Sequence, residues 1–555
     1  MELSVTANKD AIKKIKLDRI TVAKKVVEIE DSMIRTNSQR QAAKETGIAR
    51  STLQYWLSRK GKTGLSPTVE NFFESPDGLV FLHQLITAAQ YVMSKVGPCG
   101  DRLFSLFLSL SELNKFVAGS EGSAKKNSVN MENAIIAFEK EERARLSKTM
   151  PDKNITVCED ETFHPEICLV AMEPISNFIL LEKYSEKRDA ASWTTNIEES
   201  LKDLNVTIIQ STSDEGSGII KHAEDNLGVH HSPDIFHVQQ DISKAMSGSL
   251  ASHVRKAEIE LEKASKNHNT IQEKAELSSL PIDIKKCTSE IETIKESAKE
   301  KLEICRLRQE DVKKANRSIG EIYHPYNLET GTPCASDTMQ ANLEKQFKII
   351  NTAAKDAKLS ENCFKRINKA YRVVSKMILT IVFFWSTVKS IISELHLSNE
   401  IEKLMHENFI AAFYLKEASR KLSDINKRKK ISDKSQELLR IGKSNQVWQA
   451  LSEFDQSRLE KIALECAHIF QRSSSCVEGR NGYLSLRHHS MHKLSDRKLK
   501  SLTTIHNYFI KRSDGTTAAE RFFGSKPKDL FRWLLDHMDF PARPAKSRSK
   551  LSMVA

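Results

Sequence analysis

Residues 155–160 (ITVCED), 166–174 (EICLVAMEP), 177–183 (NFILLEK), 192–204 (SWTTNIEESLKDL) and 206–212 (VTIIQST) decide how the chain is read. Three short runs rich in Ile, Val, Leu and Phe, separated by turn-forming HP and PISN, predict three successive antiparallel strands. The amphipathic segment at 192–204 predicts a helix, and VTIIQST a fourth strand. A helix start broken by glycine follows at Asp214-Glu215-Gly216, then a fifth short strand near Pro233 to Val238.

Working outward, 241–471 carries almost no strand signal. Apolar residues recur at three and four from Val254 to Ala275 and again from Ile284 to Ile319, with Ser278-Ser279-Leu280-Pro281 between them. That pattern predicts a long antiparallel helical hairpin over about 251–319, its Lys and Glu forming a solvated face. A further helical block, 340–471, returns the chain to the core. Upstream, Gln39 to Lys60 (QRQAAKETGIARSTLQYWLSRK) has a helix-turn-helix pattern. Ala42, Ala43 and Thr46 give a small inner face, Gly47 a turn, Ile48 a plug, and Leu53, Trp56 and Leu57 the buried side of the second helix. Arg50, Ser51, Thr52, Gln54 and Tyr55 are left to face DNA. Residues 66–144 read as helix, interrupted by an expected loop at 118–128 (AGSEGSAKKNS).

The expected fold class is therefore α+β: a mainly helical chain whose strand order matches a ribonuclease-H-like core, interrupted by an all-helical insertion and preceded by a helix-turn-helix. The expected domains are 1–65 (DNA-binding), 66–150 (helical linker), 151–240 (first part of the core), 241–471 (insertion), 472–525 (last part of the core) and 526–555 (basic tail).

Bulk properties set limits on function. The 555 residues carry a formal net charge of +12, which suits a polyanionic partner. The longest apolar run, around Met377 to Trp385, is too short to span a bilayer, so no membrane partner is expected. The N-terminal MELSVTANKDAIKKIK lacks the apolar stretch and cleavage site of a secretory signal, and the cytoplasm is the expected compartment. Nine cysteines (99, 158, 168, 287, 305, 334, 363, 466 and 476) include no C-x-x-C pair, which argues against a zinc ribbon, a redox motif or a disulfide framework.

The chemistry lies in three carboxylates. Asp160 ends one apolar run, Asp214 follows another, and Glu478 stands in SSSCVEGRNGY, where Ser473, Ser474 and Ser475 are good helix N-caps. Carboxylates that converge at a sheet edge need neutralising by a divalent cation, Mg²⁺ by preference and Mn²⁺ as a substitute. Strand alternation turns one of Glu159 or Asp160 inward, and the trio Glu159-Asp160-Glu161 leaves open which residue holds metal. Glu520, behind Thr517, is a rival third carboxylate that a capping box also explains. The spacing of Arg487, His488, His489 and His492 matches no common structural zinc site.

These motifs resemble DDE transposases whose ribonuclease-H-like core is split by a large helical insertion before the final glutamate, as in the hAT and Mutator-like groups and related bacterial insertion-sequence enzymes. Asp234-Ile-Phe-His237 matches their D/C-x-x-H motif on the expected last strand, and SSSCVEGRNGYLSLRHH resembles their S-x-x-E-x-x-N helix. The tail IHNYFIKRSDGTTAAERFFG is similar to bacterial transposase C-termini. The resemblance spans roughly 150–525. It implies Asp160, Asp214 and Glu478 as the catalytic, metal-binding triad, with Asp234, His237, Arg480 and Asn481 supporting the site. It further implies cleavage and strand transfer at terminal inverted repeats, double-stranded DNA (transposon ends and target) as partner, a homodimer or higher oligomer, and a nucleoid-associated location in a prokaryote. The rival readings are a retired transposase kept as a DNA-binding protein, another ribonuclease-H-like nuclease, and a helical scaffold.

Overall fold

Five strands form one mixed sheet: β1 (Lys153–Phe163), β2 (Ile167–Glu173), β3 (Phe178–Ser185), β4 (Val206–Ser213) and β5 (His230–Pro233), in the order β3-β2-β1-β4-β5. β1, β2 and β3 are antiparallel neighbours, whereas β4 runs parallel to β1, and β5 parallel to β4. The computed structural model describes residues 18–58, 63–163, 166–277, 281–491 and 494–544. The expected turn at His164-Pro165, the hairpin turn at 278–280 and His492 lie outside the described residues. The remainder is mainly helical, and the fold class is α+β.

The chain divides into two compact units: Met1–Pro151 with Gly482–Ala555, and Asp152–Asn481. In the second unit the sheet is followed by two long helices, Ile235–Leu277 and Pro281–Ile322. They pair antiparallel through Gln239 with Asn316, Arg306 with Glu258, and Lys301 with Glu260. This hairpin begins at Ile235, well before the expected 251. The apolar core of the unit joins the base of the hairpin to the later helices, with Ile242, Met246, Ile319, Phe347, Ile381, Phe384 and Phe409 all buried.

Two expectations are corrected here. The fifth strand is His230–Pro233, and Asp234-Ile-Phe-His237 lies just beyond it, with Ile235 and His237 already in the next helix. The reason is local: the Asp234 carboxylate accepts a hydrogen bond from Phe236 N at 2.7 Å, which ends the strand and starts the helix. Most of the expected loop at 118–128 is helix, Glu121–Ser147, because the Ser120 hydroxyl caps Ser123 N and Ala124 and Ser128 turn inward. Among the described residues, one stretch, Glu361–Ser393, contains an 18-residue window of mean hydropathy 1.4 that passes a length-and-composition test for crossing a membrane, a test that core helices also pass. Within it, Val374–Ser393 buries Met377, Ile381, Phe384, Val388 and Ile392.

In the first unit, Arg19–Thr36, Gln39–Glu45 and Arg50–Leu57 pack around Ile29, Ala42 and Leu53, with Ile48 and Trp56 against them. Gly47 makes the turn at φ +66°, a left-handed conformation that glycine adopts without steric cost. The end of the chain also belongs here rather than to a separate core segment and tail. Asp496–Tyr508 and Leu530–His537 are helices whose Tyr508 and Trp533 rings meet Phe138 at 5.6 and 5.5 Å, and Arg543 pairs with Glu74. Burial of Leu502, Ile505, Leu530 and Leu534 supplies the driving force.

Candidate functional site

β1 and β4 place two carboxylates side by side. Their pairing runs from Lys153 with Val206 to Glu159 with Ser213, and a register shift between Ile155 and Thr156 gives β4 one extra residue. Beyond the last pair, Asp160 and Asp214 are the next neighbours, on strands about 4.8 Å apart. Without that bulge Asp160 would stand opposite Ser213. β4 carries four successive buried polar residues, Gln210 to Ser213, three of which make side-chain hydrogen bonds. Gln210 bonds Thr156 and Ser232, Ser211 bonds Glu159, and Ser213 meets His231 at 2.9 Å. Thr212 is buried between them, and its hydroxyl has no hydrogen-bond partner.

Alternation resolves the acidic trio of β1. Glu159 is fully buried, accepts a hydrogen bond from Ser211, and lies 3.3 Å from His222 Nε2. Glu161 faces the same side, held by Arg188 at 3.0 Å and Trp193 Nε1 at 3.3 Å. Asp160 faces the other way, accepting from its neighbour's amide, Glu161 N, and from Asn481 Nδ2, both at 2.8 Å. Asp214 Oδ1 accepts from Gly216 N at 3.0 Å, and a Cβ on Gly216 would approach that same oxygen to 3.0 Å.

The third carboxylate comes from helix Ser475–Met491. Its entry is fixed by one buried residue: Asp234 Oδ2 accepts from Ser474 N at 2.9 Å and from the Ser474 hydroxyl. Next to it, Ile235 N donates to Arg472 O, and the Arg472 guanidinium caps Gly320 O and Tyr323 O at the end of the hairpin. Arg480 is latched to Glu182 of β3 by two 2.7 Å bonds, and Asn481 reaches Asp160. Glu478 thereby faces His237, with Nε2 to Oε1 at 3.4 Å.

Among the described residues, the potential ligand atoms of Asp234, His237 and Glu478 lie within 4.8 Å of one another. Asp160 and Asp214 are not in that group, but Asn481 and His237 join the two clusters. Asn481 bonds Asp160 one turn from Glu478, and the charges of Asp214 and His237 both act on Asp160. Asp234 is less suited to a metal than to the fold, since both of its oxygens are already committed.

Burial pushes the Asp160 carboxyl up to about 6; Asp214 adds to the shift, and the bonds from Glu161 N and Asn481 oppose it. Burial also raises Glu478, with Asp234 adding and His237 opposing. These acids pay for their ionisation in the metal-free protein, as expected of oxygens that suit a divalent cation. A folded pKa above the reference 3.8 means that the folded state holds an extra proton between about pH 4 and 6. In chelator, stability attributable to Asp160 falls as pH rises through that window, by about 3 kcal/mol at most. Asp160→Asn should therefore melt higher than wild type in chelator at pH 7 and show a smaller gain on adding Mg²⁺. The Asn481 Oδ1, buried with no hydrogen-bond partner, is available to accept from the new amide after a side-chain flip.

Asp234→Ala should lower unfolding stability by about 2–4 kcal/mol, because buried Ser474 N and its hydroxyl lose a charged acceptor. Urea unfolding checks this; an unchanged midpoint would refute the clamp.

The comparisons with known proteins reach part of this region. Residues 405–550 match a family described as "Family of unknown function (DUF6399)". The match takes in Glu478, Arg480 and Asn481 and begins downstream of both sheet aspartates. No curated protein and no solved structure matches the chain.

Of the residues expected to contact DNA, Arg50, Ser51, Gln54 and Tyr55 are exposed and Thr52 is half-buried. Glu520 lies in the first unit, where its amide is capped by Thr517 Oγ1 at 3.2 Å. Sequence reasoning missed Glu182 and Lys376, and read Ser474 as a helix cap without its bond to Asp234. Lys376 pairs with Glu215 at 2.8 Å, beside Asp214, and no local motif announces that contact.

Proposed function

We propose that the chain is a DDE-type DNA transposase with a ribonuclease-H-like core and an N-terminal helix-turn-helix that binds terminal inverted repeats. The observation that carries this reading is the placement of Asp160 in β1 and Asp214 just past β4, each following the last registered pair of the two strands, with Glu478 delivered by a helix tied to Asp160 through Asn481. The strand order β3-β2-β1-β4-β5, with its antiparallel and parallel halves, supports a ribonuclease-H-like core. The glycine turn at Gly47 and the exposed Arg50, Gln54 and Tyr55 on Arg50–Leu57 support a DNA-reading helix.

Asp160, Asp214 and Glu478 are the residues that would hold Mg²⁺ or Mn²⁺; bound there, the cation activates the attacking oxygen and stabilises the leaving one. The protein's share is positioning. β1 and β4 fix two carboxylates, Asn481 orients Asp160, and His237 lies against Glu478. Asp234 and Arg480 hold the third element in place rather than meeting substrate. A homodimer or higher oligomer on paired DNA ends, and a nucleoid-associated location in a prokaryotic cytoplasm, belong to the same proposal.

The test is strand cleavage of a duplex carrying the element's own end repeats, with Mg²⁺ or with chelator. Nicking at the repeat boundary that needs metal supports the reading. Tight repeat binding without cleavage would leave a retired transposase acting as a DNA-binding protein.

A further inference from the structure

Helix Glu361–Arg372 carries Lys365, Arg366, Lys369 and Arg372 against a single acid, Glu361. All four cations are exposed, while Ile367 and Ala370 face the core. Lys365, Lys369 and Arg372 recur at four and three, so they form one stripe with neighbours about 5–6 Å apart, and Lys376 follows near the start of the next helix.

The stripe is fastened beside the carboxylates. Lys369 pairs with Asp241 at 2.9 Å, one turn beyond His237, and Lys376 pairs with Glu215 at 2.8 Å, next to Asp214. Val374–Ser393 is pinned to β5 by His230, which meets Thr380 at 2.9 Å and stacks on Phe383 with ring centroids 4.6 Å apart. Among the described residues Arg366 and Arg372 make no ion pair. Lys365 pairs with Glu361 at 3.4 Å, and in the basic helix Ile425–Ser444 Lys427, Lys434 and Lys443 each pair with a glutamate. An exposed run of cations is ordinarily a solvated face. This one differs in that Lys376, beyond its end, pairs with the residue next to Asp214, where a negatively charged strand entering the site would otherwise meet a cluster of carboxylates.

We propose that the Lys365–Arg366–Lys369–Arg372 face, continued by Lys376, is a phosphate track that holds the backbone of a DNA strand leading into the Asp160–Asp214–Glu478 site. The proposal rests on the transposase reading and adds to it the surface that carries the strand. Arg366 and Arg372 supply the unpaired charge; Lys369 and Lys376 anchor the track to the acidic site. Guanidinium groups suit this role because their planar donor forks match phosphate oxygens.

The experiment measures affinity of the full chain for a short duplex as a function of salt, in chelator, so that metal at the carboxylates does not contribute. Arg366→Ala/Arg372→Ala is compared with wild type and with Lys429→Ala/Lys430→Ala. The expected result is a log–log salt slope shallower by about 2 in the arginine variant, roughly 0.9 for each phosphate that is no longer neutralised, and a control slope close to wild type. An unchanged slope in the arginine variant, or an equal loss in the lysine control, overturns the track. Wild-type binding to anionic vesicles with none to DNA overturns both the track and the transposase reading. The expected slopes without Mg²⁺-dependent cleavage by the wild type would retain the track and reject the nuclease.

Discussion

Alanine at Asp160, Asp214 or Glu478 should lower Mg²⁺-dependent strand cleavage by about a thousandfold or more in each case, the equivalent of about 4 kcal/mol of transition-state stabilisation. Asp160 and Asp214 follow the last registered pair of β1 and β4, Asn481, one turn beyond Glu478, bonds Asp160, and Ser474 ties the start of the same helix to Asp234. Each carboxylate would share the charge of the same cations, so the three losses should not multiply, and double variants should fall little below singles. The neighbours provide the internal check. Glu161→Ala, whose carboxylate serves Arg188 and Trp193 on the opposite side of β1, should retain cleavage. Duplex binding should survive in all of these variants. Wild-type rates in any one of the three alanine variants would remove that residue from the triad, and a large loss in Glu161→Ala would show that the register of β1 has been misassigned.

Arg480→Met should cost about 3–5 kcal/mol of unfolding stability, because it leaves Glu182 buried without its principal counter-charge. The pair is bidentate at 2.7 Å, with side-chain exposures of 4% and 0%, so water cannot replace the guanidinium. Adding Glu182→Leu should recover much of that loss, since two apolar side chains in place of a buried ion pair avoid the desolvation cost of both charges. Equilibrium denaturation of the two single variants and the double variant measures the coupling directly. Cleavage should fall along with stability in Arg480→Met: the latch holds the segment that carries Glu478 and Asn481 against β3. A single variant as stable as wild type would mean that Arg480 is not the latch.

The sequence by itself determined the type of most elements, because hydrophobic period is a local property. The runs at 155–160, 166–174, 177–183 and 206–212 became β1 to β4, and the three-and-four spacing after Val254 became the paired long helices. It also singled out Asp160, Asp214 and Glu478, through their positions after apolar runs or beside a serine cap. It did not separate Asp160 from Glu159, since alternation gives two faces and does not say which meets the helix Ser475–Met491.

Only the tertiary structure decided the rest. β5 was not delimited from sequence because His230, His231 and Ser232 look unlike a strand; their side chains are hydrogen-bonded there to Thr380, Ser213 and Gln210, which only the fold brings to them. The bulge that brings Asp160 level with Asp214 is a property of two strands, invisible in either alone. Asp234 resembled a motif residue on a strand, yet its role is set by Ser474, which lies 240 positions away. Residues 530–537 read as part of a basic tail because a short amphipathic helix gains its stability from the surface it covers, here Phe138 and its neighbours. Local pattern thus fixed the elements and the candidate acids. Register, facing and partners followed from burial and hydrogen bonding between segments that the chain brings together only on folding.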